Sequence, residues 1–147
     1  MLELLSSRRL MRVLTALLHI AGNGRALSGR TLSERMNCPR RYLEADLQRL
    51  AKANVLESQR GAGGGYSLAR NPARISLLDV MRCLSDEQQA LEKEGCAMLV
   101  DVVGPGLNEL TLQFQHSLSN SSLAGWLQRA EEMGLVSSTK PTSDFSI

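Results

Sequence analysis

The 147-residue sequence predicts a mainly α-helical fold with one small two-stranded β-hairpin. Three observations lead to this prediction. Apolar residues recur at three- and four-residue spacing in several segments, which is typical of helices that face a core. One glycine cluster, residues 61–65, separates two short strand-like runs. Hydrophobic residues make up 43% of the chain, which is enough for the core of one domain.

Three helices are predicted in the first third of the chain. The apolar stripe over 10–21 predicts the first, and Gly22-Asn23-Gly24 ends it. Ser28 is the predicted N-cap of a second helix over 29–36, and a third follows over 39–53 with a proline in its first turn. Two helices joined by a short turn form a helix-turn-helix unit, whose later helix can lie in the major groove of DNA.

The next segment predicts a β-hairpin directly after this unit. Residues 55–60 and 66–70 are strand-like, and the glycines between them permit a tight reversal. A hairpin in this position is a wing. Arg60 and Arg70 flank its tip, so we expect the tip to approach a phosphate backbone or a minor groove. A nucleotide-binding phosphate loop is the alternative, but no Lys-Ser/Thr pair follows the glycines.

Helices are predicted again after the wing. Ser76 caps a short helix over 77–84, and Gly104-Pro105-Gly106 is expected to break the chain before a long helix over 107–118 and a last helix over 123–133. We therefore divide the chain into a winged helix-turn-helix domain (1–84), a polar loop (85–104), dimerisation helices (105–133) and a flexible tail (134–147).

The long helix carries an apolar stripe that consists of Leu107, Leu110, Phe114 and Leu118. Because the wing already completes the first domain, we expect this stripe to pack against the same helix of a second copy. The result would be a two-fold homodimer. The alternative is that the stripe packs within its own chain.

Charge and composition narrow the possible functions. Residues 1–74 contain thirteen Lys and Arg against five Asp and Glu, whereas residues 75–147 contain four against ten. The basic half suits a polyanion such as DNA or, as the competing interpretation, an acidic partner protein. No apolar run predicts a membrane span, no signal peptide is evident and three scattered cysteines indicate no disulfide framework, so we expect a cytoplasmic protein. No Ser-His-Asp, Cys-His or paired-carboxylate arrangement predicts an enzyme.

Three motifs resemble those of a known family. They are Cys38-Pro39-Arg40-Arg41-Tyr42-Leu43-Glu44, the wing sequence RGAGGGYSLAR over 60–70, and Ile75-Ser76-Leu77-Leu78-Asp79-Val80. At this spacing they are similar to the Rrf2 family, the IscR-, NsrR- and CymR-like winged-helix transcription regulators of bacteria. The resemblance is strong over residues 8–84 and looser to residue 133. It implies a dimeric DNA-binding protein that reads a pseudo-palindromic operator, and we expect it to act as a repressor.

The resemblance also implies roles for single residues. The family's major-groove helix corresponds to residues 39–50, and the glutamate that contacts base edges corresponds to Glu44, which would accept from a cytosine amino group. The wing arginine corresponds to Arg60, in a minor groove. Arg40 and Arg41 stand where relatives often carry small polar residues, and we expect them to bind phosphate or guanine. The remaining predicted DNA contacts are Arg8, Arg9, Ser28, Pro39, Tyr42, Gly61, Gly63, Gly64, Gly65 and Tyr66.

Three hypotheses concern the signal that controls the protein. In cluster-binding relatives, three cysteines lie in the sensor loop before the long helix, which corresponds to residues 85–104 of this chain. This segment contains only Cys96. We therefore predict no cofactor, and an iron–sulfur cluster with unusual ligands is the alternative. A redox-sensing thiol is the first hypothesis, at Cys96 or at Cys38, where the start of the recognition helix favours a thiolate. A small-molecule effector is the second. His19 and His116 have no second ligand at metal spacing, so no metal site is predicted.

Overall fold

The computed structural model describes residues 2–85 and 97–137, and Cys96 lies outside these ranges. The predicted fold class is confirmed, because the described residues form α-helices and one two-stranded antiparallel sheet, the wing. In chain order the elements are α1 (Leu2–Leu5), α2 (Arg8–Asn23), α3 (Gly29–Met36), α4 (Arg41–Lys52), β1 (Leu56–Gln59), β2 (Gly65–Leu68), a 3-10 turn (Pro72–Arg74), α5 (Leu77–Leu84), a π-helical turn (Leu99–Val103), α6 (Gly104–Ser119) and α7 (Leu123–Glu132).

Helices α3 and α4 form the predicted helix-turn-helix unit. The Ser28 hydroxyl accepts from the backbone N–H of Thr31 at 3.1 Å and caps α3 as expected. Asn37 ends α3 in the left-handed conformation, at φ 48°. Helix α4 begins at Arg41, two residues later than predicted, because Pro39 and the residue after it form an entry turn instead of a helical turn.

The wing is joined to the segment that precedes α3. Its strands pair from Leu56 opposite Leu68 to Gln59 opposite Gly65. Leu27 and Tyr66 exchange two backbone hydrogen bonds of 2.8 Å, a contact that the sequence did not predict. A side chain at Gly65 would overlap the backbone of Leu27, and Gly65 has a φ of 143°. Glycine is therefore required where β2 approaches this segment.

One hydrophobic core joins all the larger elements. Helix α4 packs against α5 and β1, α5 packs against α6, and α7 packs against α2 and the 3-10 turn. Helix α5 begins with a capping box, in which the Ser76 and Asp79 side chains each accept from the other residue's backbone N–H. The fully buried side chains of the core include Leu17, Leu32, Leu43, Leu47, Leu50, Leu56, Ile75, Met81 and Leu84.

Helix α6 begins earlier than predicted. Gly104-Pro105-Gly106 does not break the chain but forms the first turn of α6, which continues the π-helical turn. A proline is compatible with this position because the N–H groups of a first turn have no acceptor within the helix. Backbone hydrogen bonds of 2.8 Å, from Leu77 to Ser121 and from Leu123 to Ile75, attach the α6–α7 junction to the start of α5.

The last described residues of the chain lie against α2. Residues 134–137, which belong to the predicted tail, turn back so that Val136 lies against Gly22 and the Ser137 hydroxyl donates to the Gly22 carbonyl at 3.3 Å. The rest of that tail, 138–147, lies outside the described residues. Within the described ranges, no helix has the length and apolar character needed to cross a lipid bilayer.

Candidate nucleic-acid interface

The candidate interface consists of α4, the wing and the adjoining parts of α2 and α3. Helix α4 turns three leucines into the core, and its other side is exposed, including Arg40 in the entry turn, Arg41, Tyr42, Ala45 and Gln48. Because α4 is the second helix of the helix-turn-helix unit, this exposed side is the surface that such units place in the major groove.

A hydrogen-bond network at Glu44 joins α4 to the wing. The Arg40 Nε–H donates to Glu44 Oε1 at 2.7 Å, and the Tyr66 hydroxyl donates to Glu44 Oε2 at 3.3 Å. Burial raises the pKa of Tyr66, and the adjacent Glu44 carboxylate raises it further, whereas Arg40 opposes the shift. The network lies against Gly29, at the start of α3, where an added Cβ would approach Glu44 Oε1 to 2.7 Å. Three elements of the interface therefore meet at one carboxylate.

Two guanidinium groups contact the exposed ring of Tyr42. The guanidinium carbons of Arg12, from α2, and Arg41 lie 5.3 Å and 5.0 Å from the ring centroid. The Arg12 Nε is buried and has no hydrogen-bond acceptor among the described residues. Arg12 was not predicted, because it lies off the apolar stripe of α2 and only the packing of α2 beside α4 brings it to Tyr42. The two guanidinium groups place positive charge at the exposed side of α4.

The tip of the wing is exposed, as expected for a segment that approaches DNA. Gly61 and Gly63 have φ values of 95° and 77°, and the Gly64 N–H donates to the Gly61 carbonyl at 2.9 Å. Arg60 is exposed beside this turn. Arg70 does not flank the tip, because β2 ends at Leu68; its Nε–H donates to the carbonyl of Asn54 at 3.1 Å, at the base of the wing.

Arg9, a predicted phosphate contact, makes contacts within the domain. Its guanidinium donates to the buried carboxylate of Asp46, with a shortest N–O distance of 2.6 Å, and to the Leu84 carbonyl at 3.0 Å. These contacts tie α2 to α4 and α5. The sequence analysis missed Asp46, although a carboxylate on the leucine face of α4 needs a partner. Arg8, the first residue of α2, is exposed.

Other predicted DNA contacts separate into exposed and buried positions. Pro39 is exposed in the entry turn of α4. Tyr66 is 8% exposed, and its ring belongs to the core. Ser28 is half-buried, and its hydroxyl caps α3. Tyr66 and Ser28 thus support the interface from the side of the core. The hydroxyl of each is hydrogen-bonded within the chain.

The two described cysteines lie on different elements. Cys38 is half-buried in the turn before α4, three residues before the helix begins, and its Sγ lies 3.8 Å from the Pro39 carbonyl. Cys83 is half-buried on α5, where burial raises the pKa of its thiol, the Asp79 charge adds to this shift and Arg70 opposes it. Cys96, the second predicted sensor thiol, lies outside the described residues.

The predicted dimerisation stripe is divided between the core and the surface. Leu118 is buried in its own chain and Phe114 packs partly against the same core, whereas Leu107 and Leu110 are exposed. Three further exposed apolar side chains, which the sequence analysis did not name, precede them: Met98, Val102 and Val103. The N-terminal half of α6 and the turn before it thus present an apolar surface.

Comparison with known proteins agrees with this geometry. The model of the Rrf2 family, described as iron-dependent transcriptional regulators, matches residues 6–128. The transcriptional regulator IscR of Xenorhabdus nematophila is 33% identical over 99 residues, which are 63% of this chain and 60% of that protein. The first relatives matched, such as BadM of Rhodopseudomonas palustris, are spanned over about half their length.

Solved structures show the same fold. The IscR structure from T. potens superposes with a TM-score of 0.67 at 27% identity, and the match covers 86% of this chain and 88% of that one. The oxidised form of Staphylococcus aureus CymR superposes with a TM-score of 0.57 at 27% identity, over 80% and 90% of the two chains.

The description of the family raises the question of whether this chain holds iron. Residues 2–85 and 97–137 contain no group of three His, Cys, Asp or Glu side chains that could hold a metal ion. Iron–sulfur clusters are held by several cysteine thiolates, and the chain has three cysteines, of which Cys38 and Cys83 lie on separate elements. The described residues therefore do not fit such a cluster.

Proposed function

Because the chain belongs to the Rrf2 family of transcriptional regulators, we propose that it is a homodimeric, sequence-specific DNA-binding repressor. It acts in the cytoplasm without catalysing a reaction and reads a pseudo-palindromic operator. The observation that carries this proposal is the hydrogen bond between Tyr66 and Glu44, which holds the wing against the recognition helix. Exposed arginines lie on both of the joined elements, at Arg40, Arg41 and Arg60.

Each part of the interface has a separate task in this proposal. The N-terminal end of α4 enters the major groove, as recognition helices do. Arg60 and the exposed glycines of the wing reach the adjacent minor groove, where small residues allow a close approach. Arg8, Arg12 and Arg41 contact phosphate oxygens, and these contacts make binding steeply dependent on salt.

The test is selection of preferred sites from a random DNA pool, followed by fluorescence anisotropy with a selected site and with random DNA. We expect a clear preference for the selected site. Arg60→Ala should lose about 1–3 kcal/mol of binding free energy, mainly on the selected site. Equal weakening on both DNAs would make Arg60 a phosphate contact only. No preference at moderate salt would favour the competing function, a module that binds an acidic protein.

Control by the redox state of Cys38 is the second part of the proposal. Cys38 lies in the turn between the two helices of the helix-turn-helix unit, so an oxidised sulfur adds bulk where α4 begins. A similar fold, that of S. aureus CymR, has been solved in an oxidised form.

Peroxide should weaken operator binding by the wild type but not by Cys38→Ser, with Cys83→Ser as the matched control. If Cys96→Ser alone abolishes the response, the sensor is Cys96. If the wild type ignores peroxide, a small-molecule effector becomes the leading alternative.

A further inference from the structure

Each oxygen of the Glu44 carboxylate has a hydrogen-bond donor within the chain. Both of its oxygens accept intramolecular hydrogen bonds, from Arg40 at 2.7 Å and from Tyr66 at 3.3 Å. The Glu44 side chain is 29% exposed, whereas the Arg40 side chain is 60% exposed. An added Cβ at Gly29 would approach Glu44 Oε1 to 2.7 Å, so the carboxylate lies against the start of α3. The carboxylate is therefore recessed between α3, α4 and the wing, and the guanidinium is the outer member of the pair.

We propose that Arg40 is the base-reading group of the recognition helix and that Glu44 and Tyr66 are positioning residues that hold it. This inference rests on the proposed DNA-binding function and names the group that determines its sequence preference. With Nε bound to Glu44, the two terminal nitrogens of Arg40 remain as a planar fork of donors. Such a fork matches the O6 and N7 acceptors of guanine, the commonest specific contact in the major groove.

The position of Arg40 supports this assignment. It lies in the entry turn at the N-terminal end of α4, the end at which helix-turn-helix units contact base edges. Glu44 is one turn further along the helix. Its carboxylate faces Arg40 and the hydroxyl of the 8%-exposed Tyr66, so a shift toward a cytosine amino group would stretch both hydrogen bonds. Holding Arg40 before binding also reduces the conformational entropy that the contact would otherwise cost.

The test measures base preference, which a merely structural role would not change. A panel of sites replaces each base pair of the selected operator in turn, and the affinity of each site is measured for the wild type, Arg40→Ala, Glu44→Ala and the double variant. We expect all three variants to lose about 5- to 150-fold discrimination for guanine at the same base pair. The double variant should lose no more than Arg40→Ala alone, because the two residues act as one unit.

Three further variants serve as controls. Arg40→Lys keeps the charge but lacks the planar fork, so it should keep affinity for random DNA and show a weaker guanine preference than the wild type. Glu44→Gln keeps an oxygen that accepts from Arg40 and should retain the preference. Arg30 forms the same type of i,i+4 pair with Glu34 on α3, with both side chains exposed, and Arg30→Ala should leave every base preference intact.

Two results would overturn the inference while leaving the proposed function standing. The first is a folded Arg40→Ala variant that retains the wild-type preference at every position. The second is a loss by Glu44→Ala of a cytosine preference at a base pair that Arg40→Ala does not affect. Absence of any sequence preference in the wild type would instead contradict the proposed function. Thermal unfolding of each variant shows whether it is folded.

Discussion

The arginines of the basic half differ in what their guanidinium groups contact. Arg9 and Arg70 donate to a carboxylate or a carbonyl inside the domain. Arg12 and Arg41 lie on the ring of Tyr42 at the edge of the recognition helix. A count of charges along the sequence cannot separate these groups, because the difference arises from which elements pack together.

The Arg9–Asp46 pair is expected to stabilise the domain. Asp46→Ala should lower the free energy of unfolding by about 2–3 kcal/mol, measured by urea denaturation. Removal of one partner from a fully buried pair costs about 3–5 kcal/mol, and Arg9 is one-third exposed, which reduces the effect. Glu34→Ala removes a partner from the exposed pair with Arg30 and should change stability by less than about 0.5 kcal/mol. Equal losses in the two variants would show that burial of Asp46 does not matter.

Arg12 is expected to bind a DNA phosphate. Its guanidinium lies over the exposed ring of Tyr42, and its buried Nε has no acceptor in the described part of the chain, so no hydrogen bond at Nε opposes an outward turn of the side chain toward a phosphate. Arg12→Gln should lose about 1.5–3 kcal/mol of affinity on selected and random DNA alike, and the slope of log K against log salt should decrease by about 1. Tyr42→Phe retains the ring that both guanidinium groups contact and should keep the wild-type slope. An unchanged slope in Arg12→Gln would assign this side chain to packing.

Among the secondary-structure elements, the wing depends most on a single glycine. Gly65 combines a φ of 143° with close contact to the backbone of Leu27, whereas Gly63 has a φ of 77° and no described atom within 4 Å of an added Cβ. Gly63→Ala should lower the free energy of unfolding by about 1–2 kcal/mol, because only the left-handed backbone conformation is unfavourable for alanine there. Gly65→Ala should lower the free energy of unfolding by more than this, and it should speed hydrogen exchange at the Leu27 and Tyr66 amides. Equal protection of these amides in both variants would contradict this role of Gly65.

His19, on α2, is expected to make stability depend on pH. Burial lowers its pKa from the ordinary value of 6.5, and Arg35 lowers it further. Below about pH 6.5 the unfolded chain therefore binds a proton before the folded chain does, so this group destabilises the protein as the pH falls. His19→Gln should show a smaller drop in Tm between pH 7 and pH 5.5 than the wild type. His116→Gln, at an exposed position on α6, is the matched control and should keep the wild-type drop.

Local sequence patterns predicted most elements but not the contacts between them. Apolar spacing and caps placed α2, α3, α5 and α7 within a few residues, since these signals act within one helix. The start of α6 was predicted wrongly because glycine and proline were taken as a break. The Leu27–Tyr66 pairing and the Tyr66–Glu44 hydrogen bond were not predictable from spacing, since each joins residues at least 22 positions apart.

Over the whole chain, α6 has a double role. Its C-terminal half is fixed to the winged domain, where Leu118 is buried and the α6–α7 junction bonds to the start of α5. Its N-terminal half presents exposed apolar side chains. If a second copy covers that half, the anchored half fixes the two recognition helices relative to each other. Such rigidity is what a pseudo-palindromic site with half-sites about one helical turn apart requires.

Homodimer formation is therefore expected to depend on one side of α6. Leu110 is 61% exposed and lies on the stripe of Leu107, whereas Leu112 is 56% exposed and, at 100° per residue, points away from that stripe. Leu110→Asp should raise the Kd of the dimer at least about tenfold, because an aspartate in an apolar interface is costly to bury. Sedimentation equilibrium measures this Kd, with Leu112→Asp as the control of equal exposure and charge. The monomeric variant should remain folded, with a Tm that depends less on protein concentration, and should lose the preference for a two-half-site operator over a single half-site. A dimer that survives Leu110→Asp, or that Leu112→Asp disrupts equally, would place the interface elsewhere.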